Sequence, residues 1–308
     1  MTLDSDIIID RKNLKRKITK WQIIALLLVL GVLLALGGKS DGGIAREISS
    51  ASGKDFIARI AIDGVITEDS YRDKIIEEII KNNKVKALVV NVNSPGGTTV
   101  GGEELYQQFK EVSAAGKPVV IVMKTLATSA GYLIALGGDH IIARNGTLTG
   151  SIGVIVQSAE FTDLAEKLGI KFETFKSAPL KASPSPFEKT TPEVAAAIDS
   201  VIQDFFHYFV GLVASERKMT LEKATQLADG RIYTGSQALK LGLVDQIGGT
   251  EEALAWLKEK GIKAKLEIED VSIEEPKSPL SDLFFGDVQK SQIFSKLGLN
   301  GLLAIWYN

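Results

Sequence analysis

ALVVNVNSPGG, residues 87–97, is the stretch from which the fold can be read. Ala87 to Val92 is a short run, apolar except for Asn91. It does not alternate, so it reads as a strand buried on both faces. NSPGG, Asn93 to Gly97, ends it. Two glycines at a strand end permit unusual φ and close backbone approach, so their N–H groups can face a ligand. Taken alone, SPGG is also an ordinary turn. Working outward, Leu105, Phe109 and Val112 share one helical face, and Gly116 closes that helix. Pro118 to Met123 is the next buried strand. Upstream, Ile60, Ile62, Gly64 and Ile66 predict a strand near 57–66, and residues 72–82 carry a helical pattern. Strand and helix in this rhythm mean α/β with mainly parallel pairing.

Further along, residues 141–143, 152–156 and 172–175 are strand candidates. Helices are expected over 161–168, 192–217, 221–228, 237–241 and 251–260. In the long one, Ile198, Ile202, Phe205 and Phe209 line one side. Pro179, Pro184 and Pro186 mark a loop.

At 308 residues and 45% hydrophobic, the chain can build a full core. A net charge of -2 gives no basic field for nucleic acid. With no cysteine, disulfides, thiolate metal sites, a cysteine nucleophile and a lipoprotein anchor are excluded. No metal-binding or nucleotide-binding motif is present, so no cofactor is expected. Trp21 to Gly38 carries no charge. As a helix it would cover roughly 27 Å, near the bilayer core of about 30 Å. Arg11, Lys12, Lys15, Arg16, Lys17 and Lys20 precede it. The positive-inside rule puts them in the cytoplasm and the rest of the chain outside. A cleaved signal peptide is the alternative, but no A-x-A cleavage site is evident. The expected order is a basic tail (1–20), a single-pass anchor (21–38), a Gly/Ser-rich linker (39–54), one globular domain (55–268) and a C-terminal extension (269–308).

TSAGY, residues 128–132, lies between the buried strand and a short apolar helix. If that helix starts at Ser129, its free N–H groups favour a developing negative charge. The Ala130 N–H and a Gly97 N–H would then form an oxyanion hole. A buried core serine fits the same stretch equally well. FKSAPLKASPSP, residues 175–186, puts Lys181 among apolar residues and prolines, where a solvated surface lysine is the plain alternative.

Together these stretches resemble the signal peptide peptidase A family of membrane-bound serine proteases, with a ClpP/crotonase-like fold of repeated β-β-α units in a spiral. TLTGSIGVI (147–155), FETFKSAPLKASPSPF (172–187) and DGRIYTGSQALKLGLVDQIGG (229–249) extend the resemblance over about residues 56–250. The resemblance implies that Ser129 is the nucleophile and Lys181 the general base. It further implies that Gly97 and Ala130 supply the oxyanion hole and that Ser151 orients the lysine amine. The family's usual S-G-G-Y is here Ser129-Ala130-Gly131-Tyr132, and alanine keeps the N–H. The usual S-G-x-x-K-D is Ser177-Ala178-Pro179-Leu180-Lys181-Ala182. Also implied are signal-peptide remnants as substrates and assembly into a homo-oligomeric ring, with each subunit supplying part of a site.

A free lysine has a pKa of about 10.4 and is a poor base at pH 7. Burial lowers a lysine pKa by up to about 3–5. A lysine base therefore needs a partly dry site, which a bound apolar peptide would dry further. Other candidates are weaker. His140 opens a strand, and His207 sits among aromatics on the long helix. Ser215-Glu216-Arg217-Lys218 is charged throughout, and DGRIYTG reads as a structural turn or an oligomer contact. Rival readings are a peptidase for membrane proteins, a silent scaffold of the same fold, and a crotonase-type acyl-CoA enzyme.

Overall fold

The computed structural model describes residues 15–27 and 53–275, together with the backbone of 303–305. It divides into two units, Met1–Glu47 and Ile48–Asn308. Within the first, residues 15–27 form a helix (α1). The expected anchor over 21–38 falls partly on it, and its remainder lies outside the described residues, as do most of the linker and of the C-terminal extension. No described helix is long and apolar enough to cross a membrane.

The second unit is mixed α/β around one mainly parallel sheet. β1 (Phe56–Asp63), β2 (Val85–Ser94) and β4 (Val119–Thr128) form its centre, β1 beside β2 and β2 beside β4, all parallel. β9 (Ile268–Asp270) extends it beyond β1. On the other side β4 runs beside both β5 (His140–Ala143) and β6 (Leu148–Gly150), and β5 carries β8 (Gln246–Ile247). β7 (Ile232–Thr234) closes the edge as the one antiparallel partner in this sheet, on β6. The parallel order follows from the near-continuous apolar runs, which must be covered on both faces.

On one face Ile57, Ala87, Val89, Val120, Val122 and Ile142 pack against Ala253 and Leu257 of α9 (Thr250–Glu259). The remaining core includes three helices. These are α2 (Ser70–Lys81), with Ile75, Ile76 and Ile79 fully buried, α3 (Thr99–Ala114), with Leu105, Phe109 and Val112, and α4 (Ala130–Ala135). Each such isoleucine or leucine is worth about 1.5–3 kcal/mol of burial. α2 begins at an N-cap, Asp69, whose side chain accepts from the Tyr71 and Arg72 N–H groups. Its last turn is closed by a cation. The buried Lys117 donates its ammonium to the carbonyls of Ile79, Ile80 (2.7 Å) and Asn82 (2.8 Å). Carbonyls that a helix end leaves unpaired are thus satisfied by a positive charge at the negative pole of the helix.

Two strand expectations do not hold. Residues 172–175 are irregular and exposed, and over 152–156 there is a bridge only at Ile155. Phe172 and Phe187 stack on each other at 4.2 Å instead of entering a sheet. The long helix α6 (Pro192–Glu216) buries Val194, Phe209, Val210 and Val213, whereas Val201 in its first half is 47% exposed. Its C-terminal end is held to α3, where Tyr106 donates to Glu216 at 2.7 Å and Lys110 donates at 3.0 Å.

Replacing Lys117 by methionine should lower stability by about 1–3 kcal/mol, because buried carbonyls lose their donor. Chemical denaturation with an unchanged m-value would measure it.

Candidate active site

The NSPGG turn becomes β3 (Gly96–Thr98), set directly after β2. The Ile66 N–H donates to the Gly96 carbonyl at 2.9 Å, and the Thr98 N–H donates to the Ile66 carbonyl at 2.8 Å. The peptide groups flanking Gly97 are therefore spent on Ile66, so the N–H and C=O of Gly97 itself point to the opposite side. On that side β10 (Leu303–Ile305) runs antiparallel, with Ala304 opposite Gly97. A Cβ at position 97 would lie 1.8 Å from the Ile66 carbonyl oxygen, so only glycine fits. The Ser94 hydroxyl is 3.1 Å from both the N–H and the C=O of Gly96. The Thr98 side chain caps α3 by accepting from the Gly101 N–H at 3.0 Å.

Ser129 stands between β4 and α4 with φ 55° and ψ -118°. A non-glycine residue there is strained, and such strain persists only where the surroundings hold it. They do. The Ser129 N–H donates to the Gly150 carbonyl at 2.8 Å, and the Thr128 hydroxyl donates to the Pro95 carbonyl at 3.0 Å. The Tyr132 hydroxyl, fully buried, donates to the Leu243 carbonyl at 2.9 Å. A Cβ on Gly131 would come within 2.9 Å of the Ser94 carbonyl. The NSPGG and TSAGY stretches, more than thirty residues apart, thus meet backbone to backbone. Because α4 begins at Ala130, its N–H is among those a helix leaves without an intrahelical partner.

Ser129 and Ser151 line one cavity of about 400 Å³. Ser151 also has positive φ, 50°, and its N–H donates to the Arg231 carbonyl at 2.8 Å. The other walls are Ile152 to Ile155, Ile202, Gln203 and Phe206 of α6, and Ala228 to Gly230.

Lys181 is not among the residues around this cavity. It lies exposed in a turn over 177–182, its N–H donating to the Ala178 carbonyl at 3.1 Å. Phe161, Leu164, Leu168, Phe172, Phe175 and Phe187 are also exposed in this region, Phe175 at 94%. In the same region Lys176 is tied to Glu188 and donates to the Ser183 hydroxyl at 3.3 Å.

The profile of Peptidase family S49 matches residues 111–265. A putative protease of Synechocystis is 38% identical over 245 residues, which cover 79% of this chain and 88% of that one. The chain belongs to peptidase family S49. A putative signal peptide peptidase of Enterococcus faecium is 35% identical over 71% of this chain, which spans 65% of that protein. A putative protease of Methanocaldococcus jannaschii is 30% identical, covering 82% of this chain and 87% of that one. The S49 match starts after NSPGG and includes TSAGY, Ser151 and Lys181.

Within this S49 chain the histidines are otherwise engaged. His140 stacks on Trp256 at 4.9 Å, and its Nε2 is 3.1 Å from the Gln246 side-chain oxygen. His207 packs edge-on against Phe206. Among the described residues no group of His, Asp and Glu is arranged to hold a metal ion. Sequence reasoning missed two cavity walls. From the sequence Phe206 is one of the aromatics beside His207, and Asp229-Gly230 is part of a turn. The one available signal was the helical spacing of Ile202 and Phe206, which fits core packing just as well.

Gly97→Ala should lower peptidase turnover sharply, because the added Cβ would overlap the Ile66 carbonyl and β3 must shift. Steady-state kinetics beside a thermal melt would check it.

Proposed function

We propose that this protease is a serine endopeptidase in which Ser129 attacks and Lys181 is the base. Gly97 and Ala130 donate to the oxyanion, and Ser151 orients the lysine amine. The observation that carries this reading is the junction of β3 with the Ser129 turn. There a strained serine meets a strand whose outer edge, the one that β10 pairs with, carries the Gly97 N–H. The Lys181 amine takes the Ser129 proton as Oγ bonds to the scissile carbonyl carbon, whose oxygen becomes the oxyanion. The C–N bond then breaks, and the lysine returns the proton to the leaving amine. Water, deprotonated by the same amine, cleaves the acyl-enzyme.

Substrates are extended, apolar peptides such as signal-peptide remnants after secretion. Two features support this. The outer edge of β3 already takes a strand in antiparallel pairing, the geometry of β-addition. The cavity beside Ser129 is bordered by Ile152, Val154, Ile155, Ile202 and Phe206. We read the sheet as a ClpP/crotonase-like spiral. We further propose that residues 21–38 anchor the chain in the cell membrane, with the basic tail in the cytoplasm and the catalytic domain outside.

The exposed Lys181 supports a homo-oligomeric ring. A lysine base needs a partly dry site. The apolar side chains exposed around it are a surface of the kind that a second subunit covers. Covering it would dry Lys181 and bring it to a neighbour's Ser129.

Hydrolysis of a fluorogenic apolar peptide tests the reading. Ser129→Ala and Lys181→Ala should each lose about 10³-fold or more in kcat. Mixing the two dead variants should restore measurable turnover, since one retains the serine and the other the lysine. A folded wild type that neither turns over peptide nor reacts with a fluorophosphonate would favour the silent scaffold. Cleavage of folded membrane proteins in preference to free peptides would favour the alternative substrate class.

A chain ending at residue 275 should bind apolar peptides more tightly than the full chain, because β10 no longer occupies the edge of β3. Peptide binding to the Ser129→Ala form of each, followed by fluorescence anisotropy, measures the difference.

A further inference from the structure

Arg72 is an expensive residue where it stands. It lies in the first turn of α2, where the helix already presents positive N–H groups, so a cation is unfavourable there. It is 6% exposed, and its Nε is buried without a hydrogen-bond partner. Its nearest carboxylate, on Asp73, is 3.9 Å from Nη2, too far for a close pair. Burial lowers its pKa, opposed by Asp73, Asp69, Glu104 and Glu68. Glu104 of α3 has a buried carboxylate oxygen that is likewise unpartnered. A costly group kept in a core is more readily explained by function than by stability.

What Arg72 does is hold one carbonyl. Its Nη2 donates to the Thr67 C=O at 2.9 Å. Thr67 is flanked by the two residues that grip β3. Ile66 bonds to Gly96 and Thr98 on either side of Gly97, and the Glu68 carboxylate accepts from the Thr98 hydroxyl at 3.1 Å. The Thr67 backbone itself bears on Gly101, where an added Cβ would lie 2.8 Å from the Thr67 carbonyl carbon. Residues 66–68 are thus clamped between Arg72 and the start of α3, and β3 is clamped to them.

We propose that Arg72 is a positioning residue that sets the direction of the Gly97 N–H through Thr67 and Ile66. The inference rests on the reading of Gly97 as an oxyanion donor. Arg72 touches neither substrate nor nucleophile. It holds the strand that aims the donor, in the way an outer layer of contacts supports an active site.

The test uses the full chain with Arg72→Met and Arg72→Lys, beside wild type and Ser129→Ala. Arg72→Met should lower kcat about 10-fold to 100-fold with KM within about 2-fold, the pattern of an interaction felt only in the transition state. Phosphonylation of Ser129 by a fluorophosphonate, whose phosphoryl oxygen enters the same hole, should fall by the same factor. The melting temperature should fall by a few degrees, because the Thr67 carbonyl loses its donor, so kcat is compared at a temperature where every variant is folded. Arg72→Lys should recover most of kcat, because its ammonium can reach the Thr67 carbonyl. An Arg72→Met enzyme with wild-type kcat overturns the inference alone. So does a loss of activity that follows only a lower melting temperature. A wild type with no Ser129-dependent turnover overturns the serine-peptidase reading and this inference with it.

Discussion

The parallel pairing of β2 with β4 is the constraint on which the remainder of this molecule depends. The pairing runs from Leu88 opposite Val119 to Val92 opposite Met123, shifts, and resumes at Ser94 opposite Ala127. The shift lets both chains leave the sheet side by side, one as the glycine strand and the other as the Ser129 turn. Ladder hydrogen bonds and apolar burial on both faces make the strands rigid, so the strain at Ser129 is held by a core that has little room to relax. Two side-chain bonds around this junction, Thr128 to Pro95 and Thr149 to Ala127, end on backbone carbonyls, and the Leu126 N–H donates to the Asn93 side-chain oxygen at 3.3 Å. The site is therefore built chiefly from backbone, which explains its need for glycine at 97 and 131.

A second consequence concerns what the sheet leaves uncovered. Between Ile155 and Phe187 the chain leaves the layered core. It makes local turns, a short helix, α5 (Thr162–Lys167), and the Phe172–Phe187 stack. Many of its large apolar side chains stay in water. A segment that buries so little is a poor independent structure, and its physical economy improves when another surface covers it. Lys181 belongs to this segment rather than to the sheet. Ser129 and Lys181 thus sit on parts of the chain with different packing.

The central strands and the helices between them were legible because their periodicity is strong and their flanking signals are local. Ala87–Val92 reads as a doubly buried strand, and Gly116 marks the end of the helix that carries Leu105, Phe109 and Val112. In the irregular region the helix over 161–168 and the proline-marked loop were legible, and the absence of strands was not. Phe172–Phe175 has the residue types of a strand, yet a strand also requires a partner edge, and no short pattern encodes that. The walls Phe206 and Asp229 were equally hidden, since an aromatic on a helix and an acid in a turn have ordinary structural uses.

The sequence by itself determined the α/β class, the parallel rhythm and the two glycine-bearing turns, because burial on both faces and close backbone approach restrict residue type within a few positions. It also carried the family resemblance on which the roles of Ser129 and Lys181 rest. Only the tertiary structure decided that NSPGG and TSAGY touch, that Gly97 turns its own N–H away from Ile66, and that Lys181 stands in solvent. It also decided that Arg72 reaches back to the strand that Gly97 belongs to. Those outcomes depend on strand register and on which segments share a core, and both are properties of the whole packed chain rather than of any neighbourhood along it.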